Sequence, residues 1–166
     1  LALSVADVMG VIAYKLFGIG ELSATGEIVV WNLRVPRILI AILVGVSLAC
    51  AGAIYQSIFR NPLVEPFILG ASSGASFGAS LAILLPSIFF SLELSAFTFG
   101  LLAVFLAYTL AFERGVINSV ALVLSGVIVG AIFSSLVGIM KYLSEDAQLR
   151  EITFWMMGGL YHASWD

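Results

Sequence analysis

The sequence predicts an all-α, polytopic membrane fold with four transmembrane helices and an interfacial amphipathic helix at each end, in one segment covering residues 1–166. Three observations predict it. First, 61% of the residues are apolar, 10% are charged and mean hydropathy is +1.14, whereas a typical soluble domain carries about 25% charged and roughly 45–50% apolar residues. So few charges cannot cover so much apolar surface in water. Second, the charges divide the chain into long uncharged runs at 38–59, 66–92, 94–112 and 115–140, and crossing the hydrocarbon core takes about 20 apolar residues. Third, the runs are continuous rather than alternating, which excludes a membrane β-barrel. The 7 basic and 10 acidic residues leave no basic excess, which excludes a nucleic-acid partner.

The elements follow in order. Residues 1–17 hold Asp7 and Lys15 and read as an interfacial amphipathic helix, followed by a turn at Ser23-Ala24-Thr25-Gly26. The spans are predicted at 38–59, 67–86, 94–112 and 119–140, and a second interfacial helix at 146–157, where Glu145, Asp146, Arg150 and Glu151 precede a short apolar stretch. An even number of crossings puts both ends on one side. Trp31, Tyr142, Trp155, Tyr161 and Trp165 all fall there, where amphipathic rings favour the membrane interface. Lys15, Arg34, Arg37, Lys141 and Arg150 lie on that side against Arg60 and Arg114 on the other, so the positive-inside count alone would place the ends in the cytoplasm.

Small residues recur at helical spacing: Gly70, Gly74 and Gly78, then Gly126, Gly130, Ser134 and Gly138. Residues four apart share a helix face, and small ones let backbones approach closely in lipid. The pattern serves tight helix packing, or a smooth polar lining for a path across the membrane. The spans carry no charge, so a proton relay has no residues to run on. His162 and Cys50 are each alone in the chain, which makes a metal site improbable, and no phosphate-cradling glycine loop occurs. Any cofactor chemistry therefore belongs to partners.

Arg34 and Arg37 flank Pro36 at the expected start of the first span, with proline in the first turn that it favours. Two cations there oppose the helix dipole at a cost of about 0.3–1 kcal/mol each when exposed. They read either as snorkelling side chains or as a docking pair for an anionic partner. Asn61, Pro62 and Leu63 form a turn between two spans, with Arg60 positioned to pair with Glu65. Ser119, before Val120, is the expected N-cap of the last span.

Two clusters are more specific than composition. One is Leu33-Arg34-Val35-Pro36-Arg37; the other runs from Gln56 through Arg60-Asn61-Pro62-Leu63-Val64-Glu65-Pro66 to Leu69-Gly70-Ala71-Ser72-Ser73-Gly74-Ala75. With Gly45 to Gly52 between them, they resemble the LRxPR, GxxLAxxGxxxQ and RNPLAxPxxLGxSSGA motifs of permease subunits of binding-protein-dependent ABC importers for iron–siderophore, haem and vitamin B12. Phe154 to Gly159, followed by Trp165, resembles the family's WxxGxxxxxxW segment. Val64 departs from the usual alanine.

The resemblance implies a multi-pass protein of the prokaryotic cytoplasmic (inner) membrane that moves a metal chelate by alternating access and is not an enzyme. It implies a second permease subunit (a homodimer), two ATPase subunits that bind the ATP, and an extracytoplasmic substrate-binding protein docking on Arg34 and Arg37. It puts those arginines outside, opposite to the charge count. Asn61, Pro62, Leu63, Ser119 and Val120 are then expected at a cytoplasmic gate, and Gly70, Gly74, Gly78, Gly126, Gly130 and Ser134 along the path or its packing faces. The family's permeases continue with further helices, so the chain corresponds to an N-terminal half. The residues by themselves also leave open a non-transporting membrane scaffold or a passive pore.

Overall fold

The structure is a computed structural model describing residues 3–19, 23–87, 91–113, 116–160 and 163–165. Arg114, Tyr161 and His162 lie outside these residues. The chain divides into two compact units, one of residues 1–49 with 159–166 and one of residues 50–158.

The first unit opens on α1 (Val5–Phe17). Ser4 caps it: its hydroxyl accepts from the Asp7 amide at 3.2 Å, while Asp7 accepts from the Ser4 hydroxyl at 2.7 Å and amide at 3.0 Å. Those two donors hold the Asp7 carboxyl below its ordinary range. Gly18, at φ +70°, ends the helix. α1 packs on the helix that follows, with Val11 and Val30 buried, a Lys15–Glu27 ion pair, and the Lys15 ammonium 5.9 Å from the Trp31 ring centroid. Trp165 stacks on Trp31 at 5.3 Å and donates its indole N–H to the Trp31 carbonyl at 2.8 Å.

The next helix begins earlier than expected. α2 (Ala24–Gly26), a π-helical stretch (Glu27–Arg34) and α3 (Val35–Phe59) run as one helix of 36 residues, Ala24–Phe59. Ser23 to Gly26 is thus no free turn: Ser23 is an N-cap accepting from the Gly26 amide at 3.0 Å. Pro36 is likewise not in a first turn. Proline has no N–H to give and its ring crowds the carbonyl four residues back. The wider i→i−5 register, with the Val35 amide on the Val30 carbonyl, lets the helix pass through it unbroken. Arg34 and Arg37 therefore stand well inside a helix, and the dipole argument for them lapses.

The second unit contains the end of α3, then α4 (Ala71–Leu84), α5 (Leu92–Ala111), α6 (Ser119–Leu143) and α7 (Asp146–Met157). Between α5 and α6, β1 (Phe112–Glu113) pairs antiparallel with β2 (Val116–Ile117), a two-residue ribbon that an all-helical expectation omits. Among the described residues three helices, Ala24–Phe59, α5 and α6, are long and apolar enough to cross a membrane. The span expected at 67–86 is helical only over the 14 residues of α4, roughly 21 Å at 1.5 Å per residue. Residues 66–70 turn instead, because Pro66 lacks an N–H and Gly70 sits at φ +79°. α7 occupies the expected 146–157, started by reciprocal bonds between Glu145 and Gln148.

α4, α5 and α6 pack mutually. Their core is Ala103, Ala107, Val129 and Phe133, with Phe77 set edge-on to Phe99 at 5.2 Å and tilted on Phe133 at 5.5 Å. α7 packs on α4 and buries Ile152. Large apolar side chains stay exposed outside the core, including Phe97, Phe105, Leu110, Val127 and Ile132. Such a surface suits contact with lipid or other helices, not water.

Candidate functional site

The site is built on a turn. α3 ends at Phe59, Arg60 adopts a left-handed φ of +49°, and the Asn61 amide reaches back to the Gln56 carbonyl at 3.2 Å. The Asn61 side chain accepts from the Leu63 amide at 3.0 Å, and the Val64 amide donates to the Asn61 carbonyl at 3.3 Å. An asparagine bonding two residues ahead makes the backbone turn through a bond within its own few residues. Val64 and Leu69 are buried, whereas Leu63 is 84% exposed. Arg60 and Glu65 do not pair; the described salt bridge of the chain is Lys15–Glu27.

The far end of the turn lies against α6. A Cβ on Gly126 would stand 2.3 Å from the Ile68 carbonyl oxygen and 2.8 Å from the Leu69 Cα. Gly70, whose positive φ favours glycine, would place a Cβ 3.0 Å from the Gly130 nitrogen. A Cβ on Gly130 itself meets only ordinary contacts, at 3.6 Å from Gly70 and 3.7 Å from the Ser73 hydroxyl. One helical turn further along, the Ser134 hydroxyl donates to that of Ser73 at 3.1 Å. An open cleft of about 310 Å³ remains here, lined by Leu63, Glu65, Phe67, Gly70, Ser73 and Gly130 among others.

The small-residue stripes therefore do two different things. Gly70, Gly126, Gly130 and Ser134 come together beside the cleft. Gly74 and Gly78 face α5, where a Cβ would stand 2.5 Å from the Phe99 carbonyl oxygen and 2.4 Å from that of Ser95. Ser95 also donates to the Gly78 carbonyl at 2.7 Å. Gly138, though in register, has nothing within 4 Å. Leu63 joins the cleft; Asn61 and Pro62 shape the turn that presents it.

The N-cap of α6 is Asn118, not Ser119: its side chain accepts from the Val120 amide at 2.8 Å. Ser119 is the first helical residue, and Ser119 and Val120 are both exposed. Asn118 resembles Asn61 in this use of its side chain, a likeness visible in the two residue types alone. Arg34 is exposed and Arg37 half-buried, three residues apart on one helix face. Reading the sequence missed Glu65 and Phe67 as cleft residues, and missed the side chain of Gln56, which donates to the Pro62 carbonyl at 3.0 Å.

The sequence profile of the FecCD transport family matches residues 2–166. The vitamin B12 import system permease protein BtuC of Salmonella arizonae is 41% identical over 149 residues, covering 87% of this chain and 44% of that protein. BtuC of Klebsiella pneumoniae subsp. pneumoniae is also 41% identical with the same coverage. Among solved structures, an inward-facing metal-chelate type ABC transporter superposes with a TM-score of 0.76 at 34% identity, over 96% of this chain and 53% of its own. The chain thus spans less than half the length of the curated relatives it matches.

Proposed function

The chain belongs to the FecCD transport family, and on that premise we propose that it forms the N-terminal half of the permease subunit of an ABC importer. The proposed cargo is a metal chelate of the cobalamin, iron–siderophore or haem class. Cobalamin is the first to test, since the BtuC relatives are vitamin B12 permeases. The chain carries no reaction of its own; it provides a wall that opens alternately to the two sides. Two ATPase subunits supply the energy, a second permease copy supplies the facing wall, and an extracytoplasmic binding protein delivers the cargo to Arg34 and Arg37.

The observation that carries this reading is the cleft between the 63–70 turn and α6, where glycine backbone and the hydroxyls of Ser73 and Ser134 converge. Along α6 and the start of α4 such a wall offers a bulky cargo backbone and hydroxyls, and among the described lining residues Glu65 is the one charged group. The turn at Asn61, Pro62 and Leu63, with Ser119 and Val120, then closes the cytoplasmic mouth. In this reading the 66–85 segment crosses the membrane with its first residues as turn rather than helix, and α1 and α7 lie at the outer interface.

Single cysteines in a Cys50→Ser background test the topology. A cysteine replacing Tyr142, which is 88% exposed, is expected to react with an impermeant maleimide on intact cells. One replacing Leu63 is expected to react only after permeabilisation. The reverse pattern would sink the orientation and the docking role of the arginines. Uptake of labelled cobalamin by the complete transporter, in cells lacking their own permease, tests the cargo; no uptake with cobalamin but uptake of a ferric siderophore would reassign it.

A further inference from the structure

The hydrogen bonds of the 61–66 turn leave one side chain to be explained. Pro62 and Pro66 have no N–H, so the turn cannot close a ladder on itself. Its amides bond backwards: Asn61 to the Gln56 carbonyl, Leu63 and Val64 to Asn61. The carbonyls of Pro62 and Val64 instead face the carboxamide of Gln56, whose nitrogen donates to them at 3.0 Å and 3.5 Å. A carboxamide brings two N–H donors without a charge, which suits two uncharged backbone acceptors. At its other end the same turn is pinned by the backbone contact of Ile68 and Leu69 with Gly126. Leu63, between the two anchors, is held outward and 84% exposed at the rim of the cleft.

We propose that Gln56 is a positioning residue for the gate: its carboxamide, donating to the Pro62 and Val64 carbonyls, holds the turn that presents Leu63. It deepens the transport reading above and rests on it. Gln56 touches no cargo; it acts through the turn. Losing it frees Leu63 to swing, so that the mouth no longer closes in step with ATP hydrolysis.

The test uses the complete reconstituted transporter. Gln56→Glu keeps size and shape but, ionised, has no donor; Gln56→Met keeps the helix and has none at any pH. A nitroxide on a cysteine at Leu63 (Cys50→Ser) reports turn mobility, and unlabelled protein reports uptake per ATP hydrolysed. At pH 7 both variants are expected to raise label mobility and to lower uptake per ATP by roughly 2–10-fold, the factor that loss of one such hydrogen bond implies. Lowering the pH towards about 4.3 protonates the introduced glutamate and returns one donor. The label is then expected to be re-immobilised in Gln56→Glu and not in Gln56→Met. Both variants retain Arg60 and Glu65, so titration within the turn is common to them.

Wild-type mobility in both variants at pH 7 would overturn the proposal, as would identical pH responses of the two. Raised mobility with unchanged uptake per ATP would also overturn it, while leaving the transport reading intact. A wild-type transporter that moves no chelate would fail that reading instead, and the label series would still decide whether Gln56 holds the turn.

Discussion

Gly126→Ala in the complete transporter is expected to lower thermal stability sharply, while Gly130→Ala, one helical turn away on the same face, is expected to be nearly silent. A methyl at Gly126 would stand 2.3 Å from the Ile68 carbonyl oxygen and 2.8 Å from the Leu69 Cα. Both are backbone atoms, so no rotamer change relieves the clash; the turn must lift off α6. Overpacking of this kind costs about 1–3 kcal/mol, occasionally more. At Gly130 the added carbon finds its neighbours at 3.6 Å and 3.7 Å, ordinary contact distances. Gly74→Leu, whose first carbon already falls 2.5 Å from the Phe99 carbonyl oxygen, is expected to abolish assembly, and to do far more damage than Leu81→Ala. Size-exclusion profiles after graded heating in detergent measure the series. Equal tolerance at Gly126 and Gly130 would mean that α6 does not carry the turn.

The second large effect is expected at the arginines. Arg34→Glu with Arg37→Glu should slow association of the binding protein and cut uptake, with membrane insertion unchanged. Charge complementarity at an interface rim mainly speeds encounter and sets register, and salt screens it beyond about 8–10 Å. High salt should therefore weaken the wild-type complex and narrow its advantage over the double variant. Arg34 is exposed and Arg37 half-buried, so Arg34→Glu alone should act mostly on the association rate. Arg37→Glu should also disturb packing of the stem. Acidic-to-basic changes on the binding protein should restore part of the uptake. Normal association kinetics in the double variant would make both arginines membrane anchors.

Several features of this chain were legible without coordinates because they are local or compositional. The uncharged runs locate α3, α5 and α6, since an apolar run long enough to cross lipid has few other uses. α7 follows its expected limits because Glu145 and Gln148 begin it by a bond that spans only three residues. The Asn61 turn is likewise encoded within its own few residues.

What the sequence by itself determined, then, is the class of protein, the apolar runs within its long helices and the turn at Asn61. The tertiary structure decided three other things. It carried the first long helix back through Pro36 to Ala24 by a π-helical register, which depends on a backbone hydrogen-bond choice that no side-chain pattern records. It shortened α4 to Ala71–Leu84, because hydropathy averages over residues and does not register the backbone of Pro66 and Gly70. It also sorted the glycines: Gly74 and Gly78 against α5, Gly126 against Ile68 and Leu69, Gly138 against nothing. A small residue every fourth position states only that a backbone can come close. Which backbone does so depends on contacts between residues distant in the chain, formed when the helices and the turn settle together.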